Sequence, residues 1–239
     1  MLNLIMDIIF PQTRCAICRR PGRFSTRTPW CAGCTEKMEK LRYHLPICDK
    51  CGKYVESESG LCSDCKDRLP AFEICRAAGP YSEPFRIAIK VLKFIGKKSL
   101  AYRMGCMMAK VVREEKRFWP IDIVVPVPAS QGSLKQRGFS QTEILSRQLA
   151  KKLKLKVGAD LLVRVKDTPP QRELTREERE KNLQAAFDIK DKKKVQGKSI
   201  LLVDDVYTTG STIRECTRIL LEAGAARVSV ITWATGITY

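Results

Sequence analysis

At 239 residues the chain is long enough for one medium domain with a small one attached. It carries 44 Lys and Arg against 26 Asp and Glu, a formal net charge of +18, and a single histidine, His44. No apolar run is long enough to span a bilayer, and the lone early histidine excludes histidine acid–base catalysis from the remainder of the chain.

Residues 1–10 are apolar but have neither a basic leader nor a small-residue cleavage site, so they make a poor export signal. A short amphipathic helix ended by Pro11 is expected there. The chain is expected to be soluble and cytoplasmic, with no transmembrane segment.

Eight of the eleven cysteines form four C-x-x-C pairs: Cys15/Cys18, Cys31/Cys34, Cys48/Cys51 and Cys62/Cys65. Two thiolates three positions apart on a tight turn grip a tetrahedral zinc from one side, and a second pair closes the site. Two structural Zn²⁺ ions are expected, each with four thiolates and no open coordination position. The simplest wiring is sequential, Cys15, Cys18, Cys31 and Cys34 on one ion and Cys48, Cys51, Cys62 and Cys65 on the other; a crossed arrangement is the alternative. Gly33 and Gly52 are expected to serve turns with unusual backbone angles. An odd cysteine count and no export signal argue against disulfides. Cys75, Cys106 and Cys216 read as small buried hydrophobes, and His44 as structural or exposed. Phe24 and Trp30, among Arg14, Arg19, Arg20, Arg23 and Arg27, either form the small core of a zinc ribbon or face a nucleic-acid strand.

From about residue 72 the pattern changes to long apolar runs. Strands are predicted over 72–78, 121–127, 161–165, 200–203 and 227–233. Helices are predicted over 84–95, 100–112, 141–153, 176–182 and 212–223. This alternation argues for an α/β fold with a parallel sheet covered on both faces. The expected boundaries are 1–70 for the N-terminal helix and double zinc ribbon, and 71–239 for the α/β domain. Ligands of such sheets sit at the carboxyl ends of the strands.

Three constellations gather at those ends. Ala129 and Ser130 form a small-residue turn after Pro126-Val127-Pro128, followed by Lys135 and Arg137, which suit a phosphate group. Residues 164–182 are polar, charged and Pro-containing, which suits a flap over a site. Finally, Ile200-Leu201-Leu202-Val203 runs into Asp204 and Asp205, then into Thr208, Thr209, Gly210, Ser211 and Thr212 at the start of a helix. Backbone N–H groups there point at incoming anions, Gly210 permits close approach, and the hydroxyls add donors. Adjacent carboxylates are costly unless they bind hydroxyls, cations or a metal. Together these parts suit a sugar phosphate. No Walker loop and no dinucleotide fingerprint is present. The basic excess lies mostly beyond residue 80, as in Lys151, Lys152, Lys154 and Lys156 and in Lys190 and Lys192 to Lys194. It fits either a polyanionic partner or a lysine-rich solvated face.

The last segment resembles the 5-phosphoribosyl-1-pyrophosphate (PRPP) motif of type I phosphoribosyltransferases, with Tyr207 where many members have an aliphatic residue. The resemblance implies that Asp204 and Asp205 are the catalytic pair holding the ribose hydroxyls, with Mg²⁺ accompanying PRPP, and that Thr208 to Thr212 cradle its 5′-phosphate. The whole arrangement, from the paired cysteines through P-V-P…R-G-F-x-Q to D-D-V-Y-T-T-G-S-T, is similar to the ComF family of competence proteins. That family joins a double zinc ribbon to a phosphoribosyltransferase-like domain. By this resemblance Arg137, Lys166, Thr168, Gln171, Arg179 and Asn182 fall on marked positions, the last five in the flap. The resemblance implies handling of single-stranded DNA in natural transformation, with DNA-uptake proteins at the inner membrane as partners and a location peripheral to it. The alternative is an active phosphoribosyltransferase of nucleotide metabolism, whose acceptor base nothing in the sequence specifies.

Overall fold

The computed structural model describes residues 14–21, 28–56, 60–166 and 186–238. The helices expected over 1–10 and 176–182 lie outside the described residues, as does Phe24. The cysteine-rich part contains helix α1 (Ala32–Arg42), the two-residue strand β1 (Tyr54–Val55) and the short helix α2 (Ser63–Asp67). The α/β part continues with β2 (Cys75–Pro80), α3 (Phe85–Lys90), α4 (Leu100–Glu114), β3 (Ile123–Pro126), α5 (Gln131–Arg137), α6 (Gln141–Leu153) and β4 (Lys156–Val157). It closes with β5 (Leu162–Arg164), β6 (Phe187–Ile189), β7 (Ser199–Tyr207), α7 (Ser211–Glu222), β8 (Arg227–Thr235) and β9 (Ile237–Thr238).

Five strands form one parallel sheet in the order β2-β8-β7-β3-β4. Its central strand β7 is the predicted apolar run, and the alternation of side chains about it creates two cores. Leu201 and Val203 join Ile74, Val124, Ile231 and Trp233 under α3, α4 and α6. Ile200 and Leu202 join Val125, Val228 and Val230 under α7. The two cysteine clusters divide between these cores. Cys15 and Cys34 pack into the first and Cys48, Cys51, Cys62 and Cys65 into the second, so each zinc-ribbon half is continuous with a different face of the sheet.

Trp30 shows how the first half is attached. It is fully buried, 6.3 Å from Trp233, with the Arg103 guanidinium 5.0 Å from its ring. Arg103 also donates to the Trp30 carbonyl at 3.0 Å and to Thr35 Oγ1 at 3.1 Å. Of the two readings of Trp30, core or strand contact, the core is the one observed; burial of such a side chain stabilises by about 2–3 kcal/mol.

The second half is held by backbone. The Cys75 N–H donates to the Lys50 carbonyl at 2.8 Å, and β1 pairs in parallel with β9, Tyr54 opposite Ile237. Buried Arg76, on β2, donates to the carbonyls of Cys48 at 3.3 Å and Asp49 at 3.1 Å and pairs with Glu115 at 3.3 Å. Gly52 has φ +68°, and a Cβ there would stand 2.5 Å from the Cys75 carbonyl oxygen, so only glycine lets the turn reach the sheet. Gly33, by contrast, lies within α1 with open space where a Cβ would be, and needs no special angle.

Two elements differ from the sequence expectation. The helix predicted over 84–95 is α-helical only to Lys90, and Val91–Ile95 form a π-helical turn ending at left-handed Gly96. The strand predicted over 161–165 is not in the parallel sheet. It forms an antiparallel hairpin with β6, Leu162 opposite Ile189, at the two ends of the expected flap. Among the described residues no helix is long and apolar enough to cross a membrane.

Candidate functional site

The eight paired cysteines gather into two clusters, Cys15/Cys18/Cys31/Cys34 and Cys48/Cys51/Cys62/Cys65, with the four sulfurs of each within 4.8 Å of one another. This is the sequential wiring. Four thiolates at about 2.3 Å from one tetrahedral zinc stand about 3.8 Å apart. The observed Cys15–Cys34, Cys18–Cys31 and Cys51–Cys62 separations are 3.8, 3.7 and 3.5 Å. Backbone N–H groups of Cys31 and Cys62 point at the sulfurs of Cys15 and Cys48, each at 3.3 Å, as thiolate ligands require. Hydrogen bonding among these thiols holds Cys48 far below the ordinary thiol range and pushes Cys51 far above it. Four sulfurs this close shed their protons together only onto a cation. The donor sets therefore fit two structural zinc ions.

A second site opens at the carboxyl ends of β3 and β7, a cavity of ≈ 780 Å³. The structure brings together here Ala129, Ser130, Arg137, Asp204, Asp205 and the whole run Thr208 to Thr212. Gly210 makes the turn into α7 with φ +78°; a Cβ there would stand 2.3 Å from the Tyr207 hydroxyl, which fills the space behind it. Tyr207 is itself buried and packs edge-on against Phe72 at 6.3 Å, so the aromatic at this position acts as a backing for the loop. As N-cap, Gly210 makes no side-chain bond to the helix, which leaves the first turn of α7 to the cavity, lined by Ser211, Thr212 and Ile213. Thr209 and Ser211 hydroxyls lie 3.0 Å apart. Across the cavity, Ser130 Oγ accepts from the Ser133 N–H at 3.2 Å.

Lys135 is exposed on α5 and is not among the cavity-lining residues. Lys166 is exposed at the edge of the described chain, and Thr168, Gln171, Arg179 and Asn182 lie outside the described residues.

Three side chains that carried no role in the sequence reading complete the cavity. Lys93 Nζ sits 2.7 Å from Asp205 Oδ2, and the same oxygen accepts from Gln141 Nε2 at 2.8 Å. Arg137 in turn donates to Gln141 Oε1 at 3.0 Å. Phe94 also lines the cavity, beside Arg137. Lys93 and Phe94 belong to the π-helical turn, a distortion common at functional sites.

The two carboxylates are unequal. Asp205 is buried and paired, whereas burial, followed by the Asp205 charge, pushes Asp204 from 3.8 up to about 8. An acid whose folded pKa lies above its unfolded value supports the fold fully below the unfolded value and loses that support as pH rises through the folded one. The contribution of Asp204 to thermal stability is therefore expected to be lost between pH 3.8 and about 8. Asp204→Asn is expected to flatten that slope and raise Tm at pH 8. Parallel wild-type and variant Tm–pH curves would show that Asp204 ionises normally.

Comparison with known proteins places two families on this chain. The double zinc ribbon domain matches residues 5–66, and the phosphoribosyl transferase domain matches residues 133–238. Competence protein F of Haemophilus influenzae is 29% identical over 221 residues, covering 91% of this chain and 94% of that protein. The DNA utilization protein YhgH of Salmonella typhimurium is 30% identical over 219 residues, covering 90% and 94%. Competence protein ComFC of Bacillus subtilis is 28% identical over 214 residues, covering 84% and 82%.

Proposed function

Since the chain belongs to the family of competence protein F and the DNA utilization protein YhgH, we propose that it handles single-stranded DNA during DNA uptake and holds PRPP in the β3–β7 cavity. The observation that carries the ligand is the juxtaposition of an acid pair with a glycine- and hydroxyl-rich helix start in one cavity. Names of relatives support the DNA role, and the +18 charge suits a polyanion. The zinc clusters, closed by four sulfurs each, serve structure.

In this reading Thr208 to Thr212 receive the 5′-phosphate through hydroxyls and the α7 N–H groups. Asp204 and Asp205 orient the ribose by its 2′ and 3′ hydroxyls. Ala129 and Ser130 border the pyrophosphate, and Arg137 adds positive charge there. Asp204 and Asp205 are suited to hold the Mg²⁺ that accompanies PRPP, which when bound screens the pyrophosphate charge. Departure of pyrophosphate leaves a cation-like ribose, so the residues are asked for positioning and charge rather than a strong nucleophile.

Calorimetric titration tests the ligand. Wild type is expected to bind PRPP in the presence of Mg²⁺, and Asp204→Asn/Asp205→Asn to bind at least about 100-fold more weakly. Equal affinities, or no binding by the wild type, would remove PRPP from the site.

A further inference from the structure

A strip of alternating rings and cations leads out of the cavity. At the cavity wall, half-exposed Phe94 has the Arg137 guanidinium 5.4 Å from its ring centroid. Next to this pair the Lys98 ammonium stands 5.0 Å over Phe139, and Gly96 brings the two together: a Cβ there would be 4.0 Å from the Phe139 ring. Four residues beyond Lys98, in the first turn of α4, half-exposed Tyr102 has the Lys152 ammonium 4.7 Å over its ring and 2.9 Å from its hydroxyl. Arg113 then donates to the Lys152 carbonyl and extends the line along α4. Residues 94–113 and 135–156 together hold twelve Lys and Arg and one acid, Glu143, which is paired with Arg147 at 2.8 Å; of the twelve, Lys110 is paired with Glu39 of α1 at 3.1 Å.

Charge of this density repels itself and is retained only at a cost, and half-exposed Tyr102 likewise keeps apolar ring surface in water. A single strand of nucleic acid satisfies both. Its phosphates meet the cations, and its unstacked bases meet the rings, whatever their sequence. A duplex offers only the phosphates, because its base faces are stacked. The other basic run, Lys192 to Lys194, is an exposed 3₁₀ turn with no such rings among it.

We propose that this strip is where the single strand lies, with bases against Phe94, Phe139 and Tyr102, phosphates on Lys98, Lys152 and Arg113, and one end at the mouth of the β3–β7 cavity. The proposal rests on the reading that the chain handles single strands, and it adds where they lie and how they reach the ligand site. Phe94 and Arg137 belong to both strip and cavity, so strand and cavity ligand are coupled, and each alters the affinity of the other by the same factor.

Fluorescence anisotropy with labelled oligothymidylate, read as a function of salt, tests this on the full zinc-loaded chain. Phe94→Ala/Tyr102→Ala is expected to weaken binding about 10- to 100-fold with little change in salt slope. Lys98→Gln/Lys152→Gln is expected to lower the slope of log affinity against log salt by about 1.4. Lys192→Gln/Lys193→Gln/Lys194→Gln should leave both unchanged. Thermal unfolding and zinc content identify any variant that has merely misfolded, and Phe94→Leu and Tyr102→Leu then keep the apolar bulk while removing the ring. A strand bound tightly by wild type and by all strip variants, but lost in the Lys192–Lys194 control, would overturn the location alone. No strand binding by wild type at any salt would overturn the DNA reading and the strip with it, while leaving PRPP binding to be judged by calorimetry.

Discussion

Cys51→Ser is expected to cost more than the loss of one metal ion: it should loosen an edge of the α/β sheet as well. The reason is the seam between the second cysteine cluster and β2. Cys48 and Asp49 carbonyls are held by Arg76, the Lys50 carbonyl by the Cys75 N–H, and Gly52 lies against the Cys75 carbonyl. These are backbone contacts within the same few residues that the zinc-binding thiolates fix. Without a metal nothing holds the three remaining thiols together, the turn opens, and buried Arg76 loses acceptors it cannot replace with water. The expected loss is at least about 3–5 kcal/mol. Metal analysis should fall from about two zinc ions per chain to about one. Hydrogen exchange should accelerate in β2 and in the β1–β9 pair, while α4 and α6 on the opposite face respond less. If β2 amides exchange as slowly as in wild type, the cluster is an independent appendage and the seam carries no energy.

Lys93→Met is the second large effect. Asp205 is buried, and its Oδ2 is shared between the Lys93 ammonium and the Gln141 amide. Removing the ammonium leaves a carboxylate inside the cavity with a neutral donor and a neighbouring acid. Breaking such a pair from one side costs about 3–5 kcal/mol. Urea unfolding of the ligand-free protein at neutral pH should show that loss. Added Mg²⁺ should restore part of it, because it replaces the lost positive charge. In the wild type Mg²⁺ should stabilise less, because Lys93 already sits on Asp205. A Lys93→Met midpoint within the error of wild type, indifferent to Mg²⁺, would mean the pair contributes nothing.

Much of the fold and site was legible because it is local in sequence. The strand at 200–203, the two acids and the hydroxyl-rich loop are consecutive, so the covalent chain itself carries them to one place. The four C-x-x-C pairs are legible for the same reason. Lys93 was not. Val91-Leu92-Lys93-Phe94-Ile95 reads as the last turn of an amphipathic helix, and the π-helical turn that brings Lys93 and Phe94 to the cavity leaves no mark in apolar spacing. Gln141 was hidden as the first residue of an ordinary helix; its role depends on where α6 meets β7. The β5–β6 hairpin was misplaced because strand partners are fixed by tertiary contact, and β5 alone is too short to declare them. Trp30 illustrates the converse. The ring in a zinc ribbon invites a ligand, yet it is consumed by the sheet domain's own Trp233.

The pairing of β1 with β9 bears on how the molecule is made. On the ribosome, Tyr54 and Val55 emerge about 180 residues before their partners Ile237 and Thr238. Metal can be captured by the cysteines long before that, but the second ribbon cannot complete its hydrogen bonding until β9 has left the exit tunnel. Assembly is thus a loop closure over about 180 residues, slow by its topology. Until it closes, a nascent chain displays an unpaired ribbon edge, the sort of surface to which chaperones and neighbouring chains adhere.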